Sequence, residues 1–263
     1  LTSISRRVIL MTVNRQSMTV SSERGSSVVT DLEALTGGVL APRQQILGEQ
    51  VLEQLRVLII TGKLPAGTHL VEAQLSATFQ VSRGPIRDAL SQLEAEGLVE
   101  SRRRGSYVRG LTTRDIDELY SVREAIELQA LRVASHMPAE AWELAQPSLD
   151  EMRDASVSGD HLRFAHADMA FHASFYDVAG HTRLRQIWSQ YAPTFAVLLE
   201  LTTAEDIDLG PSYESHVEIH EQMRAGELDR ATVSLQEHLL GSRARLVSAY
   251  ARMTLDGLGE ETR

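Results

Sequence analysis

The chain has 263 residues, 43% of them hydrophobic and 24% charged, with a formal net charge of −10; this is enough chain for one or two domains with a sizeable core. It contains no cysteine, which excludes disulfides, thiolate zinc sites and cysteine nucleophiles and suits a reducing, cytoplasmic setting, and no apolar run approaches the roughly 18 residues of a membrane span. Residues 1–43 hold five arginines against three acids, 44–110 eight basic residues against seven acids, and 111–263 thirteen arginines against twenty-six acids, an asymmetry that predicts two domains with different partners. Residues 1–43 show no sustained periodicity and are broken by Ser21, Ser22, Gly25, Ser26, Ser27, Gly37 and Gly38, so they read as a mobile extension, with Met11 and Met18 as alternative starts. From Gln44 the pattern turns helical: Ile46, Val51, Leu52, Leu55, Leu58 and Ile59 recur at three- and four-residue steps up to Gly62. A turn at Pro65-Ala66-Gly67 leads to a short helix over Val71–Phe79, and a third helix runs from Ser82 to about Glu96, where Gly97 stops it. Leu98–Ser101 and Ser106–Arg109 read as two strands joined by Arg102-Arg103-Arg104-Gly105. Beyond Leu111 the pattern is all helix, predicted near 113–134, 139–156, 160–179, 182–203, 211–225 and 227–249, with a tail over 251–263. The expected architecture is mainly α: a winged helix-turn-helix over 44–110, then an all-helical bundle over 111–250.

The chemistry of the first domain is concentrated at its third helix. Ser82 suits an N-cap and Pro85 is tolerated in the first turn. Ile86, Ala89, Leu90 and Leu93 make a buried stripe flanked by Arg83 and Arg87, one turn apart. Arginines at a helix N-terminus can fork onto guanine edges or phosphates in a major groove, and Gly105 at the wing lets the backbone come close to a groove. Two arginines on a helix alone would read as a solvated face; the order of elements and the Arg-rich hairpin tip turn the reading to double-stranded DNA.

The run Gly62-Lys63-Leu64-Pro65-Ala66-Gly67-Thr68-His69-Leu70-Val71-Glu72, with Leu75–Leu90 and Leu93-Glu94-Ala95-Glu96-Gly97-Leu98-Val99, resembles the GntR family of bacterial transcription regulators. The resemblance implies that Ser82, Arg83, Gly84, Pro85 and Arg87 are recognition-helix contacts and that Arg104 and Gly105 are wing contacts. Ile86 and Asp88 stand where Val and Glu are more usual. Ala73 stands where some members place a DNA-contacting arginine.

In the helical half, histidines fall on inward stripes. Leu162, Ala165, Met169, His172 and Tyr176 share one face, and Asp168 lies one turn before His172. His216, Ile219 and Met223 make a second stripe, and Leu228, Ala231, Leu235, His238 and Ser242 a third. A single inward histidine reads as a hydrogen-bonded core residue. Three imidazoles and a carboxylate from three helices can also ligate a metal with open positions. His220, four residues after His216, competes with it by periodicity, and His161 and His166 are expected at solvent or at a pocket edge. Arg123 lies on the stripe Ile116, Leu119, Tyr120, Arg123, Ile126. An inward arginine needs an anion, either Glu127 one turn on or an effector carboxylate.

Asp115-Ile116-Asp117-Glu118-Leu119-Tyr120 with Arg123 and Glu127, the run Asp168–His172, and His216 through His238 are similar to the FCD domain, the ligand-binding half of FadR-like GntR regulators. The resemblance implies that Asp168, His172, His216 and His238 ligate a divalent ion, zinc before nickel or manganese. The combined expectation is a transcription regulator, a repressor and homodimer that reads a short inverted repeat under the control of a small carboxylate effector. A regulator with a metal-free pocket and a metal-dependent hydrolase are the alternatives.

Overall fold

The computed structural model describes residues 42–204 and 206–260, with side chains from 46 to 252 except 205. The extension expected over 1–43 thus lies outside the described residues as far as 41, and Pro42 and Arg43 already belong to the first helix. Helix α1 (Pro42–Ile60), strand β1 (His69–Leu70), helices α2 (Glu72–Phe79) and α3 (Arg83–Ala95), and strands β2 (Val99–Arg102) and β3 (Gly105–Val108) follow in order. Val51, Leu55 and Ile59 of α1 are buried, as are Ile86, Ala89, Leu90 and Leu93 of α3. Both sets recur at helical spacing, so the two faces pack as the sequence pattern requires. Between α2 and α3 the chain turns on Gln80, whose φ of 55° lies in the left-handed region. After α3, Gly97 takes φ +78° and Leu98 donates its N–H to Leu93 O at 2.9 Å, a helix stop that sends the chain directly into β2.

The sheet is antiparallel with order β1-β3-β2. β2 and β3 pair with Arg102 opposite Gly105, leaving Arg103-Arg104 as the turn. β1 pairs with β3, His69 opposite Tyr107 and Leu70 opposite Ser106. The sequence reading lacks β1, because a two-residue strand carries no period. The wing is accordingly a three-stranded sheet and not a lone hairpin.

The second half holds α4 (Thr113–Ala134), a 3-10 segment (Ala139–Ala145), α5 (Gln146–Ser158), α6 (His161–Val178), α7 (Thr182–Thr203), α8 (Gly210–Arg224) and α9 (Leu228–Glu260). Thr112 and Asp115 close a capping box at the start of α4, satisfying amide donors that would otherwise be orphaned. The single helix expected over 139–156 is divided. Pro147, at the start of α5, lacks the N–H that would continue the hydrogen-bond ladder from the preceding turn. Helix α9 runs on to Glu260, into the segment read as a tail. Helix α6 is buried well beyond one stripe, with Phe164, Phe171, His172 and Phe175 all at 0% exposure, as befits a helix surrounded by the others.

The two halves share a buried junction. Arg56 of α1 donates from Nε and Nη2 to Glu96 at 2.7 and 2.8 Å and also pairs with Glu53. Thr194 of α7 donates to Glu96 Oε2 at 3.1 Å, and Gln190 Nε2 to Ala95 O at 3.0 Å. The end of α3 is thereby tied to the helical bundle.

Candidate metal centre and DNA-reading surface

Three helices converge on one buried cluster. Asp168 and His172 sit one turn apart on α6, His216 on α8 and His238 on α9; each is 9% exposed or less. One ligand atom from each lies within 4.8 Å of those of the others. Each imidazole is fixed through Nδ1. His172 donates to Glu127 Oε2 at 2.7 Å and His216 to Ser212 O at 2.6 Å. Ser215 Oγ lies 2.9 Å from His238 Nδ1. The Ser215 proton goes to Ser212 O at 2.7 Å, so His238 donates there as well. A neutral imidazole that donates from Nδ1 keeps its lone pair on Nε2. The Nε2 lone pairs of His172 and His216 belong to the inner side of the cluster, with Asp168 Oδ2 3.2 Å from His216 Nε2 and Asp168 Oδ1 3.6 Å from His172 Nε2.

The electrostatics keep His172, His238 and Asp168 in ligand form. Burial pushes the His172 imidazole below its ordinary value, and the Arg123 charge adds to this against Glu127. Burial, with His216 and His172 as neighbours, pushes His238 lower still. Burial works to raise the Asp168 carboxyl, but the facing His216, His172 and Arg123 outweigh it and hold it well below the usual carboxylate range. Neutral imidazoles and an ionised carboxylate are the forms a cation binds.

Both readings of Arg123 have a counterpart in the geometry. Its Nε donates to Glu127 Oε1 at 2.7 Å, so the helical ion pair is formed. Nη2 has no hydrogen-bond partner and stands 4.0 Å from Asp168 Oδ1. The guanidinium lies 5.7, 5.5 and 5.2 Å from the ring centres of Tyr120, Trp188 and Phe195, aromatic faces that stabilise a buried cation. Among the other histidines, His220 is settled elsewhere, its Nε2 3.0 Å from Trp142 O. His166 pairs with Glu200 at 3.1 Å on the surface, and His161 is half-buried at the start of α6. His238 also lines a cavity of about 270 Å³ beside α8 and α9, together with Ser212, Ser215 and Arg245.

On the first half, Ser82, Arg83, Gly84 and Arg87 are exposed around the start of α3, and Arg104 and Gly105 at the wing tip. Ser82 occupies the N-cap with extended backbone but makes no side-chain capping bond. Pro85 differs from the expectation of a contact residue. It is buried, 3.3 Å from where a Cβ on Gly48 of α1 would stand, so its surface belongs to the packing of α1 on α3. Arg87 faces Glu72 at 3.6 Å. Arg102 pairs with Glu100 and lies 4.7 Å from the Tyr107 ring centre.

Comparison with known proteins joins these two halves. Residues 47–108 match the gntR family of bacterial regulatory proteins, and residues 118–241 match the FCD domain. A Paenarthrobacter nicotinovorans protein assigned to repression of a D-xylose utilization operon is 30% identical, covering 73% of this chain and 85% of the relative. The gluconate operon transcriptional repressor of Bacillus subtilis is 30% identical over 65% of this chain and 70% of the relative. The chain belongs to the GntR family of bacterial transcription regulators. The fold is also that of E. coli McbR/YncC, with TM-score 0.61 at 21% identity, over 78% of this chain and 98% of that one. The GntR regulator is not an enzyme, and the hydrolase alternative falls.

Sequence reasoning about this regulator missed the groups that orient the buried histidines. Glu127 was legible only as a partner of Arg123, because its bond to His172 spans two helices. Ser212 and Ser215 carried no signal, although the spacing of four from Ser212 to His216 suits a carbonyl-to-imidazole bond within one helix turn. Trp188 and Phe195 come from α7, and nothing in the α4 pattern announces them.

Proposed function

We propose that this regulator is a repressor acting in the cytoplasm, controlled by a small organic acid held at a divalent metal ion in the helical half. Asp168, His172, His216 and His238 would hold the ion, zinc before nickel or manganese. The bound ion supplies a Lewis-acid attachment point for a carboxylate, and Arg123 Nη2 supplies a charged donor beside it. The observation that carries the reading is the meeting of the buried Asp168 carboxylate with the Nε2 atoms of His172 and His216, and with a His238 ring nitrogen within 4.8 Å. Asp168 Oδ1, His172 Nε2 and His216 Nε2 are buried without a hydrogen-bond donor among them. Such acceptors repel one another unless a cation lies between them.

DNA would be read by Ser82, Arg83, Gly84 and Arg87 in the major groove and by Arg104 and Gly105 at the wing, in a domain spanning 44–110. The bundle, 111–250, would pair two chains so that the readers meet a short inverted repeat with matching symmetry. The acid controls the regulator by favouring one placement of the two readers over another. The relatives' names, repressors of sugar and sugar-acid operons, support repression as the mode.

Elemental analysis of the untagged protein beside His172→Ala and His238→Ala tests the centre. The expected result is about one ion per chain in the parent and loss in both variants. A parent free of metal after incubation with zinc, nickel and manganese salts overturns the metal-centred reading. For the reading helix, Arg83→Ala is expected to abolish sequence-specific retardation of an operator selected from random DNA. Retained specificity would reassign the contact.

A further inference from the structure

Seven buried side-chain nitrogens and oxygens lack a hydrogen-bond partner among the described residues, and five of them belong to Arg123, Asp168, His172, His216 and Tyr176. The metal-and-acid reading accounts for the first four. It gives no work to the Tyr176 hydroxyl. Tyr176 follows His172 by one turn, so Asp168, His172 and Tyr176 stand on one face of α6. The residue is 1% exposed, and its ring lies 5.6 Å from that of Trp188, one of the rings that hold the Arg123 guanidinium. Burial pushes the hydroxyl's pKa up, and the charges that act on it next are Glu127 and Arg123. Tyr120, the tyrosine against the Arg123 guanidinium, is treated differently: its hydroxyl is 2.9 Å from Ser242 Oγ. A buried hydroxyl with no partner destabilises the fold, and phenylalanine would fill the same space without that cost.

We propose that Tyr176 is a specificity-determining residue of the effector pocket, its hydroxyl hydrogen-bonding a second oxygen function of the bound acid. The inference rests on the metal-and-acid reading above and narrows it. The ligand class becomes small hydroxy acids or dicarboxylates, in preference to a simple monocarboxylate. A site built to bond a particular ligand oxygen rejects the analogue that lacks it, because the site's own group is then left buried and unpaired.

The test compares Tyr176→Phe with Tyr120→Phe in zinc-loaded protein. Without ligand, Tyr120→Phe loses a buried hydrogen bond and should melt a few degrees lower, whereas Tyr176→Phe should melt at or above the parent temperature. Calorimetric titration with acetate, L-malate and D-gluconate then reads specificity. The parent is expected to bind malate or gluconate more tightly than acetate. Tyr176→Phe should weaken the better acid by about three- to tenfold, as loss of one hydrogen bond does, with acetate affinity and zinc content unchanged. A melting loss equal to that of Tyr120→Phe, or unchanged affinity for all three acids, overturns the role of Tyr176 and leaves the metal centre standing. A zinc-loaded parent that binds none of the three acids overturns the inference. A parent that takes up no zinc fails at the earlier step and overturns the metal reading itself.

Discussion

Buried ionisable side chains in this regulator are held in defined states by fixed partners. His172 and His238 are neutral because burial and nearby charge disfavour their protonated forms. Both imidazoles titrate below the unperturbed value of about 6.5. Between their folded values and that point the unfolded chain binds more protons than the folded one, so stability rises with pH there and is lost as pH falls. Metal-free protein should therefore show a urea midpoint that declines as the pH is lowered from about 7 to about 5; a flat profile would mean that the imidazoles titrate in the fold as they do in the unfolded chain. The members of the buried cluster were legible one at a time, since Asp168, His172, His216 and His238 all fall on or beside apolar stripes. What was not legible is the direction of each ring. That is fixed by Nδ1 partners on other helices or on backbone carbonyls, and side-chain periodicity does not encode them.

At the level of elements, the helices follow their apolar spacing, and α1, α3, α5, α6 and α8 each end within two residues of a glycine with positive φ. The exceptions have local causes: Pro147 divides one predicted helix, and β1 is too short to register. The wing shows how a glycine can have two explanations. Gly105 was read as a point of close approach to DNA. In the folded chain it has φ +123°, and a Cβ there would lie 2.9 Å from His69 Nε2, whose ring stacks on Tyr107 at 4.6 Å. The fold needs this glycine whether or not DNA is bound. Gly105→Ala should lower unfolding free energy by about 1–3 kcal/mol, chiefly through backbone strain. Adding His69→Ala should recover little of it in urea denaturation, and full recovery would place the cost in the side-chain contact instead.

Across the whole molecule, the excess of acid in the second half does not oppose DNA binding by the first. Phosphate contacts depend on basic groups at the DNA-facing surface, and net charge elsewhere acts mainly on orientation. The halves are joined by a buried carboxylate that serves both. Glu96 accepts two bonds from Arg56 and one from Thr194. Removing Glu96 leaves the buried Arg56 with the largely exposed Glu53 as its remaining anion. Glu96→Ala is expected to cost about 3–5 kcal/mol by chemical denaturation, and a loss below about 1 kcal/mol would mean that Arg56 finds water or another anion.

One carbonyl has a further consequence. Ser212 O accepts from His216 directly and from Ser215, which in turn holds His238. Two of the three imidazoles thus take their aim from a single peptide group in the first turn of α8, the part of a helix that frays most readily. If that turn opens, both rings lose their orientation together, so occupancy of the centre and winding of the helix start become one equilibrium. Amide exchange in the first turns of α8 should then slow with added zinc and quicken with chelator, which makes this helix end a reporter of metal status that needs neither operator nor effector.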